Sequence, residues 1–192
     1  MRGGTGNDTY IVDEFRDVIR EGSDNGTDLV QASVNYILKN NNVENLTLIG
    51  SEDIKGTGNS SANTIKGNSG ANKLNGGAGV DILIGKAGND VLIGGSGNDR
   101  LVGGVGIDKL TGGVGNDTLT GGSGNDIFQI NSGIGRDEIT DYTSREDRIK
   151  LLGGLEENDL TIRQAGDNVK IKYEGDLMAI VQDTLIADLT FI

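Results

Sequence analysis

A single apolar residue recurs every nine positions through the middle of the chain, between stretches of glycine and polar residues. The recurring residues are Ile65, Leu74, Leu83, Leu92, Leu101, Leu110, Leu119 and Phe128. Each lies in a short segment such as Ile82-Leu83-Ile84, in which neighbouring side chains of an extended strand point to opposite faces. Each nine-residue unit therefore predicts one short strand with one side chain turned into a core.

Glycine-rich segments separate these strands. From Gly67 to Gln129, seven consecutive units keep closely to Gly-Gly-x-Gly-x-Asp-x-(Leu/Ile/Phe)-x, as in GGSGNDRLV at 94–102. A weaker unit occupies 58–66, and a separate one, GGTGNDTYI, occupies 3–11. Glycine adopts left-handed backbone angles without steric cost, so each unit also predicts a tight turn.

One turn and one strand per unit predict a coil built from two units. Coils stacked ~4.8 Å apart give a parallel β-helix with a narrow interior. The inward residues then form two columns, which are 65, 83, 101, 119 and 74, 92, 110, 128. The predicted fold class is all-β, as a parallel β-roll (a right-handed β-helix with two nonapeptides per coil).

The sixth position of the unit carries a carboxylate or an amide. Its residues are Asn63, Asn72, Asp81, Asp90, Asp99, Asp108, Asp117 and Asp126. Coiling places them in two edge ladders, where like charges repel. One core side chain per unit cannot offset the entropy of ordering so much glycine-rich backbone. The array therefore requires a cation between its carboxylates, and oxygen-only ligation in a flexible loop favours Ca²⁺ over Mg²⁺.

The composition argues against several other classes of function. The chain has 29 acidic and 17 basic residues and a net charge of -12, which disfavours nucleic acid and anionic membranes as partners. It has no cysteine and no histidine, which excludes disulfides, zinc sites built on these residues and histidine-dependent triads. No segment is typical of a membrane span or a signal peptide. A start inside a repeat suggests a piece of a longer protein.

The units resemble the nonapeptide of the repeats-in-toxin (RTX, hemolysin-type) family, GGxGxDxUx, which forms a calcium-binding parallel β-roll. The resemblance covers 58–129 and, as one unit, 3–11. It implies that each ion takes the second and fourth carbonyls and the aspartate of one repeat. The first and third carbonyls and the aspartate of the repeat two further on complete the set.

The resemblance implies four sites with a carboxylate from both repeats. Their ligands would be Gly77, Gly79, Asp81 with Gly94, Ser96, Asp99; Lys86, Gly88, Asp90 with Gly103, Val105, Asp108; Gly95, Gly97, Asp99 with Gly112, Val114, Asp117; and Gly104, Gly106, Asp108 with Gly121, Ser123, Asp126.

The array departs from the pattern at both ends. Asn63 and Asn72 replace aspartate, which predicts weaker or empty sites. Beyond Gln129 the phase slips by two residues, but 133–137 keeps a GxGxD core. A fifth site would use Gly113, Gly115, Asp117 and Asp137. Asp141 would do the same for Asp126.

The flanking segments are expected to extend and close the roll. We predict imperfect rungs over 1–57, in which Asp8 pairs with Asp28 around one ion, then the nonapeptide roll over 58–129. The remainder, 130–192, is expected to be a capping and secretion-signal segment, because an open β-helix exposes its last coil.

The capping segment is predicted to be antiparallel. Residues 160–163 and 169–173 alternate apolar and polar positions around a hairpin turn at 165–168, and 177–181 supplies a third strand. The final residues, 188–192, place an acid before apolar residues. This ending resembles the C-terminal signal of type I secretion substrates, and a plain edge strand is the alternative.

The resemblance implies a bacterial, secreted, calcium-binding module that binds several Ca²⁺ ions and folds outside the cell or at its surface. Its other expected partner is the type I secretion machinery. The alternative is a calcium-dependent adhesion or carbohydrate-binding module, attached to a larger surface protein or a polysaccharide-modifying enzyme, with a glycan or surface ligand as partner. We expect the chain not to be an enzyme, because it lacks histidine, cysteine and the signature of a compact pocket.

Overall fold

The computed structural model describes residues 1–14, 16–22, 26–39, 42–132 and 135–192. The chain is all-β, with a parallel solenoid of about eight turns and antiparallel strands at its C-terminal end. The fold class predicted from the nine-residue period is therefore confirmed.

Eighteen strands and two short 3-10 helices occur among the described residues. The strands are β1 (Thr9–Val12), β2 (Leu29–Ala32), β3 (Tyr36–Ile37), β4 (Asn45–Leu48), β5 (Lys55–Thr57), β6 (Thr64–Lys66), β7 (Lys73–Ala78), β8 (Ile82–Ala87), β9 (Val91–Ser96), β10 (Arg100–Val105), β11 (Lys109–Val114), β12 (Thr118–Ser123), β13 (Ile127–Ile130), β14 (Asp137–Ile139), β15 (Arg148–Leu151), β16 (Leu160–Ala165), β17 (Asn168–Tyr173) and β18 (Asp176–Val181). The helices are Glu157–Asp159 and Ile186–Asp188.

The strands form two sheets, and the chain crosses from one to the other at each turn of the array. The larger sheet has the order β1-β2-β4-β6-β8-β10-β12-β14-β18-β17-β16, and the smaller has the order β15-β13-β11-β9-β7-β5-β3. Within the array, each strand pairs in parallel with the strand 18 residues further on, as Leu83 does with Leu101. This spacing is the two-unit coil expected from the sequence.

The core is one side chain wide on each sheet. Ile65, Leu83, Leu101 and Leu119 are in register in the larger sheet. The matching column of the smaller sheet is Leu74, Leu92, Leu110 and Phe128. All eight side chains are fully buried. The two sheets therefore meet through the columns that the period predicts.

Both columns continue beyond the array. Tyr10, Val30 and Leu46 precede Ile65 in the larger sheet, although the spacing between them is irregular. Ile149 follows Phe128 in the smaller sheet. The imperfect units of the first 57 residues are thus hydrogen-bonded to the same solenoid.

The C-terminal strands extend the larger sheet. Ala165 pairs with Asn168 across the predicted hairpin turn, and β17 and β18 are antiparallel. β18 then pairs in parallel with β14. On the smaller sheet, Ile149 N donates to Thr190 O at 2.8 Å and Ile192 N donates to Ile149 O at 3.0 Å. The last residues therefore lie along the edge of the smaller sheet.

Candidate metal centre

Backbone hydrogen bonds hold the aspartates of the array in two continuous ladders. In the first ladder, Asp81 N donates to Asp99 Oδ1 at 2.8 Å, and Asp99 N donates to Asp117 Oδ1 at 2.7 Å. In the second, Asp90 N donates to Asp108 Oδ1 at 2.7 Å. Each carboxylate is therefore fixed by the main chain of the unit two before its own.

The other oxygen of each carboxylate is buried and accepts no hydrogen bond from the described residues. These oxygens are the Oδ2 atoms of Asp28, Asp81, Asp90, Asp99, Asp108, Asp117 and Asp126. A buried anionic oxygen without a donor or counter-charge is strongly unfavourable. A cation bound between the coils would remove that penalty.

Main-chain carbonyls face several of these oxygens. A Cβ atom placed on Gly76 would overlap Asp81 Oδ2, and it would lie 2.6 Å from the carbonyl oxygen of Gly94. The same arrangement brings Asp90 Oδ2 and the Gly103 carbonyl together beside Gly85. Glycine at the first position thus keeps open a small space that two kinds of oxygen share. Carboxylate and carbonyl oxygens are the ligands that Ca²⁺ prefers.

The second and fourth positions of the units also require glycine-like backbone. Gly95 and Gly97 have φ of 117° and 137°, and their Cα atoms pack on the carbonyls of Gly77 and Gly79. Lys86 occupies a second position and adopts φ of 83°, although it is not glycine. The Lys86 carbonyl packs on Gly104, as the carbonyls of Gly77 and Gly79 pack on the glycines two units later. The turn conformation is therefore kept where the glycine is lost.

The third-position carbonyls have a hydrogen-bond partner that sequence reasoning did not foresee. Gly79 N donates to Ser96 O at 2.9 Å, and Gly97 N donates to Val114 O at 2.8 Å. Val105 and Ser123 accept in the same way from the fourth-position glycines two units earlier. A carbonyl oxygen has two lone pairs, so one remains for a cation.

The side-chain amides of the two asparagines at the start of the ladders have hydrogen-bond partners within the protein. Asn63 Oδ1 accepts from Asn59 N at 2.8 Å, and Asn63 Nδ2 donates to the Val43 carbonyl at 3.3 Å. Asn72 Oδ1 accepts from Asn68 N at 2.7 Å, and its Nδ2 donates to Asn68 Oδ1 at 2.9 Å. These amides supply both donor and acceptor, so these positions do not need an ion.

At the C-terminal end, aspartates complete both ladders at sequence separations of 20 and 21 residues, instead of the 18 found within the array. Asp117 N donates to Asp137 Oδ1 at 3.3 Å, across the predicted slip of two residues. Asp126 N donates to Asp147 Oδ1 at 2.8 Å, so Asp147 takes the ladder position that we expected for Asp141. Asp141 instead accepts from Gly121 N and from its neighbour, Gly122 N, each at 2.8 Å. Of the predicted 133–137 motif, residues 133 and 134 lie outside the described residues.

At the N-terminal end the first ladder begins before the array. Asp8 N donates to Asp28 Oδ1 at 2.8 Å, and Asp28 N donates to Glu44 Oε2 at 2.9 Å. Sequence reasoning missed Glu44 and Asp147. Both lie two positions before a buried core residue, Leu46 and Ile149, as the sixth position of a unit does. That spacing is the signal that would have found them.

Burial changes the acidity of the ladder carboxyls. It raises the pKa of five of them to about 6, and these are Asp81, Asp90, Asp99, Asp108 and Asp126. Burial and the neighbouring charge of Asp117 raise the pKa of Asp137 to about 8. Without cations, burial thus makes the ladder carboxyls weaker acids than an exposed aspartate.

We expect the calcium-free chain to be more folded at about pH 5 than at about pH 7.5. The ladder carboxyls have a higher pKa in the folded chain than their ordinary value of 3.8. Their contribution to stability is therefore fully present below about pH 4, and it is lost as the pH rises through about 6. Far-ultraviolet circular dichroism in chelator measures this dependence. A spectrum that does not change between these pH values would contradict it.

Parallel coils with carboxylate ladders and turn carbonyls define a cation-binding β-solenoid. The RTX calcium-binding nonapeptide repeat family matches residues 1–20, 57–92 and 93–128. The chain matches the repeat of this family over these ranges, and the resemblance to the family found in the sequence is confirmed. Such repeats are structural calcium-binding modules rather than catalytic ones, and they occur generally in secreted proteins.

Two solved structures are similar to parts of the chain. The extracellular lipase LipA from Serratia marcescens is 13% identical, with a TM-score of 0.40, over 88% of this chain and 45% of the lipase. The chain thus spans less than half of the lipase. The AlgE6R3 subunit of the Azotobacter vinelandii mannuronan C5-epimerase is 24% identical, with a TM-score of 0.43, over 69% of this chain and 78% of that subunit. No curated protein sequence matches the chain significantly.

Neither of the helices found among the described residues has the length and apolar character that crossing a membrane requires.

Proposed function

We propose that the chain is a secreted calcium-binding module that folds when Ca²⁺ enters its two ladders. The observation that carries this proposal is the row of buried carboxylate oxygens without donors, which includes Asp81, Asp99 and Asp117 on one edge. Asp81 and Asp99 face the carbonyls of Gly94 and Gly112 across spaces that glycine keeps open. Bound Ca²⁺ would supply the positive charge that these oxygens lack.

The four central ions would take the ligand sets carried over from the family. Each interior aspartate then contributes to two ions, because it belongs to the later repeat of one site and the earlier repeat of the next. Asp137 would close the first ladder, and Asp8 with Asp28 would hold an ion before the array. The amide-filled positions of Asn63 and Asn72 would hold none.

Calcium dependence gives the module a role in export. Low calcium inside the cell would leave the chain unfolded and competent for type I secretion, and external calcium would drive folding by mass action. Segment 58–129 would hold most of the ions, 1–57 would extend the roll and 130–192 would cap it. The last residues, 188–192, would serve export before they join the smaller sheet.

Neutralising one shared aspartate tests the proposed ion positions. Asp108→Asn keeps the side-chain shape but removes a carboxylate from two neighbouring sites, so calorimetric titration with Ca²⁺ should show both sites weakened by about tenfold or more. Asp176→Asn is the matched control, because it removes the same charge from an exposed position in the cap. Equal isotherms for the two variants would overturn the assignment.

A further inference from the structure

Three carboxylates from different parts of the chain meet at the N-terminal end of the solenoid. Oxygens of Asp8, Glu21 and Asp28 lie within 4.8 Å of one another. Glu21 is only 8% exposed and Asp28 is fully buried. Glu21 follows β1 and lies outside the nonapeptide pattern, so the repeat motif does not account for its burial beside two other acids.

Glu21 takes the place that a main-chain carbonyl has in the array. Gly3 is the first residue of its unit, as Gly76 is in the array. A Cβ atom on Gly76 would overlap Asp81 Oδ2 and approach the Gly94 carbonyl. A Cβ atom on Gly3 would overlap Asp8 Oδ2 and, in place of a carbonyl, Glu21 Oε2 and the Tyr10 hydroxyl. The same small space is thus lined by an additional carboxylate.

Hydrogen bonds hold this cluster in a fixed geometry. Gly4 N donates to Asp8 Oδ2 at 2.9 Å, and Gly22 N donates to Glu21 Oε1 at 3.0 Å. The Tyr10 hydroxyl donates to Glu21 Oε2.

Asp28 supplies the observation that points to a ligand. Its Oδ1 accepts from Asp8 N at 2.8 Å, whereas its Oδ2 is buried and accepts no hydrogen bond from the described residues. No described lysine or arginine forms an ion pair with it. The carboxylates of Asp8 and Glu21 lie close to that of Asp28 and increase the local negative charge. A bound cation would balance this charge.

We propose that Asp8, Glu21 and Asp28 form a three-carboxylate calcium site that binds more tightly than the two-carboxylate sites of the array. The number of charged ligands is one of the properties that set Ca²⁺ affinity in oxygen-ligand sites. The inference rests on the proposed function and adds to it, because Glu21 belongs to no repeat. The site would order the first coils at calcium concentrations too low to fill the array.

Titration of the full chain with Tb³⁺ tests this site directly. Tb³⁺ takes the place of Ca²⁺ on oxygen ligands, and a phenol within a few ångströms sensitises its emission. Tyr10 is placed to do so here, whereas Tyr142, which donates to the Asp147 carbonyl, lies at the far end of the roll. We expect Tyr10→Phe to lose the emission that saturates at the lowest Tb³⁺ concentration, and Tyr142→Phe to keep it.

Glu21→Gln tests the third carboxylate by itself. It should weaken the first binding step by about tenfold or more, while Asp176→Asn should leave that step unchanged. A first step that is equal in Glu21→Gln and the unchanged chain would overturn the proposal, as would full emission from Tyr10→Phe.

A further measurement distinguishes the three-carboxylate site from calcium-driven folding of the array. Circular dichroism of the unchanged chain with and without Ca²⁺ reports whether calcium folds the array. A chain that folds on Ca²⁺ but shows no Tyr10-dependent first step refutes only the three-carboxylate site. Tyr10-dependent binding without a change in fold refutes only the coupling of calcium to folding.

Discussion

Removal of Ca²⁺ with a chelator at neutral pH is expected to unfold the repeat array. Without ions, the buried Oδ2 atoms of residues such as Asp90, Asp99 and Asp108 have neither donor nor counter-charge. Stacked carboxylates repel each other more strongly where solvent is excluded. The core contributes one inward side chain per nonapeptide, which is too little to compensate. Circular dichroism should show loss of strand signal, and hydrogen exchange should show loss of protection at the ladder amides.

Two controls distinguish specific ion binding from screening of the negative charge. Sodium chloride at matched ionic strength weakens repulsion between exposed charges but cannot ligate the buried oxygens. Mg²⁺ prefers strict octahedral geometry and keeps its waters, so it should restore the fold poorly. A roll that persists in chelator at neutral pH, or that returns equally well with sodium chloride, contradicts the expectation.

Replacement of Gly113 by alanine is expected to destabilise the roll severely even when calcium is saturating. Gly113 has φ of 116°, a conformation that costs a residue with a side chain about 1–3 kcal/mol. Its new Cβ would also overlap the Gly95 carbonyl and lie 2.9 Å and 3.0 Å from the carbonyl carbon and nitrogen of Gly95. Both neighbours are backbone, so they cannot rotate away, and overpacking adds about 1–3 kcal/mol. The transition midpoint in a thermal melt measures the sum.

Gly175→Ala separates the two causes. Gly175 also has a positive φ, 98°, but its Cβ would have no neighbour within 4 Å. It therefore carries the backbone strain without the clash, and its midpoint should fall much less than that of Gly113→Ala. Equal losses would show that the close approach of successive coils does not require glycine.

The fold could be predicted from the sequence because one short period determines both the turns and the core. The 18-residue register, the two inward columns and the hairpin at 165–168 all follow from positions within the motif. The ladder positions of Glu44 and Asp147 were missed because the preceding turns differ in length from the nonapeptide. There the glycines are absent, and only the spacing between an acid and the next core residue remains.

The candidate site was harder to predict than the fold because it depends on side-chain contacts between distant segments. The sequence places Asp8 and Asp28 in comparable positions, but nothing local indicates that Glu21 turns inward beside them. It also does not show that the side-chain amides of Asn63 and Asn72 each find hydrogen-bond partners within the protein. The ion ligands carried over from the family, and the adhesion or glycan-binding alternative, stay predictions.

The ladders give the solenoid a direction. The Oδ1 of Asp99 holds the backbone of Asp81, and the Oδ1 of Asp117 holds that of Asp99. Each of these coils of the array is therefore held by the coil that follows it in the chain. Deletion of coils from the N-terminal end leaves the remaining carboxylate–amide hydrogen bonds intact. Deletion of a coil from the C-terminal end removes the carboxylate that holds the backbone of the coil before it. Assembly of such a stack should therefore proceed from its C-terminal coil towards its N-terminal coil.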